Sequence, residues 1–296
     1  MKKAFIQLHI AVFLAGFTGI LGRLISLNEG MIVWYRLLIT TVTMWILFGF
    51  ANKLYRIPAT DILKITVVGL IAALHWITFY GSIKYANVSV ALVCFSAAGF
   101  FTSIFEPLIL RTKFDVAEIF LGLLTLAGIY IIFHFDTRYK TGIIVGLISA
   151  LLGALFPVLN RQFLQRINVE TMLAWQQTGG LIWISLLLPF YLLRFPVEHF
   201  LPGPEDTMWL LVLSWLCSVI AFQFSSYALK RLSAFTVNLS FSLEPVYGIL
   251  LAFIVFNENK LLSKWFYIGF AIIAAAIVLH AALLLKQEQK SLTRTG

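Results

Sequence analysis

Glu244 is a carboxylate set inside a long apolar run and followed at once by Pro245. Such a group binds an ammonium, carries a coupling proton, or bonds backbone freed by the proline and shapes a kink. Thr236, Ser240, Glu244 and Tyr247 recur at helical spacing and share one face. His75 lies mid-run with Thr78 and Ser82 on its face; an imidazole there relays protons or binds substrate, or is a neutral histidine bonded between helices. Trp76 and Tyr80, four residues apart, offer ring surface with a polar handle. Ser96, Gln176, Gln223, Tyr227 and Ser240 complete the candidate substrate-binding set, Ser96 lying on a stripe with Gly99, Ser103 and Glu106. Arg36 sits about 8 Å inside its run, placed to meet anionic groups at an entrance or to snorkel to the interface, the plainer reading. Glu106 is about 6 Å from the end of its run and is expected to pair with Arg111.

No phosphate loop, HExxH or GxSxG pattern occurs, and the five histidines are scattered, so neither a metal nor a cofactor is expected. Cys94 and Cys217 fall within apolar runs and read as packing residues.

These residues have to be positioned by membrane-spanning helices. Hydrophobic residues make up 60% of the 296-residue chain and charged ones 12%, and the mean hydropathy is +0.93. Apolar runs of about twenty residues, enough to cross a ~30 Å hydrocarbon core, cover Ala4–Leu21, Met31–Phe50, Leu63–Ile83, Val88–Leu110, Val116–Phe135, Ile143–Leu164, Met172–Leu193, Met208–Leu229, Ala234–Phe256 and Trp265–Leu285. The expected fold is therefore an all-α polytopic membrane protein with ten transmembrane helices. The net charge of +9 is spread over short loops and forms no nucleic-acid patch. With the N-terminus inside, inner segments carry roughly twice the Lys and Arg of outer ones, which predicts a cell (inner) membrane protein with both termini cytoplasmic. An ionisable side chain in a span costs at least ~2.5–3.5 kcal/mol on insertion scales, so each one retained should face the bundle interior.

Sliding the chain by 146 residues places Lys84 on Lys230, Phe95 on Phe241 and Ser96 on Ser242. Five spans separate equivalent points; an odd number turns the second copy upside down. The expected organisation is a 5+5 inverted-topology repeat: residues 1–135, residues 136–285, and a short basic cytoplasmic tail, 286–296.

The run from Tyr227-Ala228-Leu229-Lys230 through Leu243-Glu244-Pro245 to Asn257-Glu258 resembles the signature of EamA-like carriers of the drug/metabolite transporter superfamily, as do Trp34-Tyr35-Arg36 and the stretch from Ala154 to Arg161. Asn257 stands where that family has glycine. The first half lacks the central Glu-Pro: Ala98-Gly99 takes its place, and Glu106-Pro107 follows eight residues on, about 12 Å nearer the cytoplasm. The resemblance implies a ten-helix carrier exporting or exchanging small metabolites such as amino acids without ATP. The leading expectation is a secondary transporter whose partners are a small-molecule substrate and the bilayer, with a homo-oligomer allowed by its small-residue faces. Glu244 or His75 would carry a coupling proton. The competing classes are a membrane-embedded enzyme and a structural membrane protein.

Overall fold

The computed structural model describes residues 2–135, 137–197, 199–229, 240–241 and 243–295, and these contain no strand. The helices are α1 (Lys2–Leu24), α2 (Glu29–Phe50), α3 (Ala59–Tyr85), α4 (Val88–Phe95), α5 (Ala98–Leu110), α6 (Val116–Phe135), α7 (Lys140–Leu164), α8 (Val169–Arg194), α9 (Pro204–Ser214), α10 (Ala221–Leu229), α11 (Glu244–Phe256) and α12 (Lys264–Thr295). Among the described residues, eight helical stretches are long and apolar enough to cross a membrane, and Glu244–Phe256 is a shorter apolar helix. The 26-residue α8 carries Gln176 and Gln177 in its first half. Thr236, Lys230 and Ser242, invoked above for the polar stripe and the repeat, lie outside the described residues.

Local chemistry fixes the ends. Asn28 and Asn87 cap α2 and α4, their side-chain oxygens accepting from the N–H of Met31 at 2.9 Å and of Val90 at 2.8 Å. Pro58 immediately precedes α3 and Pro204 opens α9, proline's fixed φ and missing N–H suiting a helix start. These prolines are 146 residues apart. So are Arg111 and Asn257, which end α5 and α11 in the left-handed conformation, at φ 56° and 54°. Asparagine tolerates that conformation, which is why it can occupy the glycine position.

Two expected spans are not continuous α-helices. Val88–Leu110 breaks at Ser96–Ala97 into α4 and α5, and the eighth passes through a π-helical turn, Trp215–Ile220, between α9 and α10. Glu244, expected ten residues into a helix, instead opens α11 behind a turn at Leu243. Pro245 supplies the reason: without an N–H it suits a first turn and cannot continue the ladder. The matching break before Ala98 falls 146 residues earlier, with closely similar backbone angles: −65°, −13° at Ala97 and −85°, −11° at Leu243. The repeat is thus written in the backbone more legibly than in side chains.

Packing follows the same two-part pattern. α7 lies along α3, α4 and α5, while α1 lies along α10 and α11; α6 pairs with α12. Backbones touch at glycines. A Cβ on Gly16 would meet the Glu244 carbonyl oxygen at 2.9 Å, and one on Gly128 would meet that of Gly269 at 2.7 Å. Only small residues allow such approach, and close packing is what holds helices together where the solvent is itself apolar.

Candidate functional site

Arg36 is the centre of the interior. It enters α2 two turns from Asn28, and its residue is 2% exposed, so it does not snorkel and does not line an outer mouth. The reason is that hydroxyls wait inside: Nε donates to Ser218 Oγ at 2.8 Å and Nη1 to Tyr80 Oη at 2.7 Å. The guanidinium lies 4.2 Å from the Trp76 ring centroid, a cation–π stack, and Phe222 stacks on Trp76 with centroids 6.1 Å apart. Three elements converge here: α2, α3 and the π-helical turn with the start of α10. The extra residue in a π turn re-aims side chains, a feature frequent at functional sites.

His75 is one position before Trp76 and also buried. Its Nδ1 is 2.9 Å from the Ser149 carbonyl oxygen and 3.0 Å from Ser149 Oγ, joining α3 to α7. Phe79, Phe95 and Phe156 surround the imidazole. Glu244 is half-buried at the start of α11, and Arg36 is the charge that acts on it, yet no ion pair joins them among the described residues. Cys217 and Cys94 are free and buried; Cys217 also feels Arg36.

Arg36, His75, Trp76, Tyr80 and Glu244 are therefore brought into one electrostatic neighbourhood. The other candidates are not. Ser96 sits at the break and bonds to the Leu92 carbonyl, 3.2 Å away. Gln176 accepts from Asn160 at 3.0 Å, between α7 and α8. Gln223 is half-buried on α10. Ser240 lines an apolar groove of about 290 Å³ with Phe5, His9, Leu243 and Ile277. Ser218 and Phe222, not among the candidates above, carry parts of the centre; their only signal in the sequence is spacing, four residues apart on one helical face.

Tyr227 belongs to one end of the bundle. Lys53 Nζ donates to its hydroxyl at 2.8 Å and meets Glu170 at 3.2 Å; Tyr227 donates to the same carboxylate at 3.2 Å. The bond to Tyr227 and then that to Glu170 hold the Lys53 ammonium above the usual lysine pKa. At this end Arg166 grips Asp61 through both guanidinium nitrogens at 2.5 and 2.7 Å. Glu106 pairs with Arg161, not with Arg111. Five residues turn a helix by about 140°, and Arg111 leaves the helix in its left-handed cap, so the expected partner points elsewhere.

The opposite end carries a counterpart. Asp206, in the first turn of α9, accepts from the Ser26 N–H at 2.8 Å and from its hydroxyl at 2.6 Å. Ser26 precedes Asn28 by two residues as Arg166 precedes Asn168, and each aspartate lies just after its Pro58 or Pro204. The first turn of one repeat's third helix thus holds the first loop of the other, once at each end. Glu258 adds a tie beside Asp206's end: it caps α4 by accepting from Val88 N–H at 3.0 Å, Ser89 N–H at 2.8 Å and the Ser89 hydroxyl at 2.6 Å.

A family model, the EamA-like transporter family, matches residues 2–134 and again 140–280, dividing the chain where the backbone repeat does. The chain belongs to that family. It is a multi-pass membrane protein of a transporter lineage. An uncharacterized transporter of Haemophilus influenzae is 24% identical over 274 residues, 86% of each chain. Another, of Archaeoglobus fulgidus, is 24% identical over 89% of this chain and 90% of its own. A solved crystal structure sharing 17% identity superposes with a TM-score of 0.67 over 97% of this chain and 99% of its own, which shows a common fold.

Proposed function

We propose that this EamA-family protein is a secondary transporter, working by alternating access as an exporter or exchanger of a small polar metabolite, amino-acid-like or aromatic. Its ten spans form two five-helix halves, residues 1–135 and 136–285, inverted relative to each other in the cell membrane. Both termini are cytoplasmic, and so is the end that carries Arg166 and Lys53. The observation that carries the reading is the pair of equivalent cross-repeat ties, Asp61 to Arg166 and Asp206 to Ser26, at opposite ends of an interior that keeps Arg36 and Glu244. A membrane enzyme has no need of matched closures above and below its site; a carrier must release one while holding the other.

Trp76, Tyr80 and Arg36 line the substrate's place, with His75 behind them. Glu244, at a helix start and free of any ion pair with Arg36 among the described residues, carries the coupling proton. The test is transport by the purified protein in vesicles, as counterflow and as pH-driven flux. Glu244→Gln is expected to abolish the response to a pH gradient while leaving exchange within about threefold of wild type. Wild-type pH dependence in that variant would remove Glu244 from coupling, and absence of counterflow across a metabolite panel would remove the carrier reading.

A further inference from the structure

We infer that Arg36 is the anchor for an anionic group, a carboxylate, on the transported molecule; this rests on the carrier reading and names the substrate class of its site. The bonds Arg36 makes do not themselves need a cation. Ser218 and Tyr80 are hydroxyls that donate and accept, and a neutral amide would satisfy them equally. A permanent positive charge, 2% exposed inside a membrane bundle, is costly without a counter-ion, and such charges mark functional pathways. Yet its partners among the described residues, Ser218, Tyr80 and Trp76, are all neutral. Glu244 acts on it only at longer range than an ion pair among the described residues.

A guanidinium has five N–H donors in a planar fork, and the two bonds above come from Nε and Nη1. The fork matches a carboxylate. Among the described residues, Arg36 is the cation that acts on His75, Tyr80, Cys217 and Glu244. One cation suits a monoanion better than a phosphate monoester. The indole of Trp76 under the guanidinium keeps the fork flat and in place.

The experiment uses the full-length purified protein and matched probes: L-phenylalanine, N-acetyl-L-phenylalanine, L-phenylalaninamide and phenethylamine, with the corresponding leucine series. Thermal-shift titrations give each affinity. Members with a free carboxylate are expected to bind at least about tenfold more tightly than their amides and amines, the usual worth of a charge-assisted bond. Arg36→Gln should erase that preference, and Arg36→Lys should keep part of it. Equal affinity for acids and amides, no binding by any acid, or a preference surviving in Arg36→Gln would each overturn the inference. If Arg36→Gln does not fold, the wild-type comparison and Arg36→Lys still decide. Counterflow of amides or amines without preference would sink the anion anchor and leave the carrier standing; bound acids that show no counterflow would do the reverse.

Discussion

Replacing Asp61 or Asp206 by asparagine should open the protein toward opposite sides. Asp61 is buried, but its partner Arg166 has a side chain 54% exposed, so the Coulombic part of this bidentate pair is heavily screened. Asparagine keeps one acceptor and loses the charge that roughly doubles such bonds. Asp206 is 7% exposed, and its partners are a neutral N–H and hydroxyl; asparagine removes the charge assistance from both. Each change is worth about 1–2 kcal/mol, a shift of roughly 5–30-fold in the population open on that side. Cys217 supplies a native reporter: it is 2% exposed, free, and beside Arg36. In a Cys94→Ala background, an impermeant thiol reagent would be applied separately to each face of oriented vesicles. Asp61→Asn should speed Cys217 labelling about 5–30-fold from the Arg166 face only, and Asp206→Asn from the other face only. If both variants accelerate labelling from the same face, or neither changes it, the two ties are not opposing closures.

Two further outcomes concern the scaffold. Gly69→Val should lower the melting temperature by several degrees, because an added Cβ meets the Gly180 N at 2.7 Å and presses on the Gln176 carbonyl, an overpacking of about 1–3 kcal/mol or more; Gly99→Ala, with nothing within 4 Å, should leave it unchanged or raised. Glu258→Ala removes the acceptor for three donors at the start of α4 and should cost about 2–4 kcal/mol in detergent unfolding, Glu258→Gln about half of that.

The helices and the 146-residue repeat were legible because both rest on what sequence states directly, apolar length and residue spacing. The burial of His75, Trp76 and Tyr80 was legible for a related reason: ionisable and aromatic groups at mid-depth have nowhere to go but inward. Ion-pair partners were not. Glu106 had cations on two helices within reach, and only the left-handed turn at Arg111 decides for Arg161. Arg36 was misplaced at the interface because snorkelling is a property of one side chain, whereas its burial depends on Ser218 and Tyr80 arriving from α3 and the π turn. The capping of α4 by Glu258 is a meeting of residues 170 positions apart, which no local pattern encodes.

Under the carrier reading, equal backbones with unequal side chains would let motion be symmetric while chemistry is not. The breaks before Ala98 and Glu244 share their position in the repeat and closely similar angles, so a hinge at one would have its counterpart at the other. Only the second hinge carries a carboxylate, and the guanidinium lies only in the first half; position 98 is alanine, and the first-half Glu106 is committed to Arg161 at one end. The proposed anchor, Arg36, therefore belongs to one half and the proposed coupling acid, Glu244, to the other. Introducing a carboxylate at the matching place, Ala98→Asp, would set a second acid at the first hinge. Restored pH-driven flux in an Ala98→Asp, Glu244→Gln double variant would mean that depth alone confers coupling. Continued loss would mean that the acid must be the one in the field of Arg36, the outcome this geometry requires.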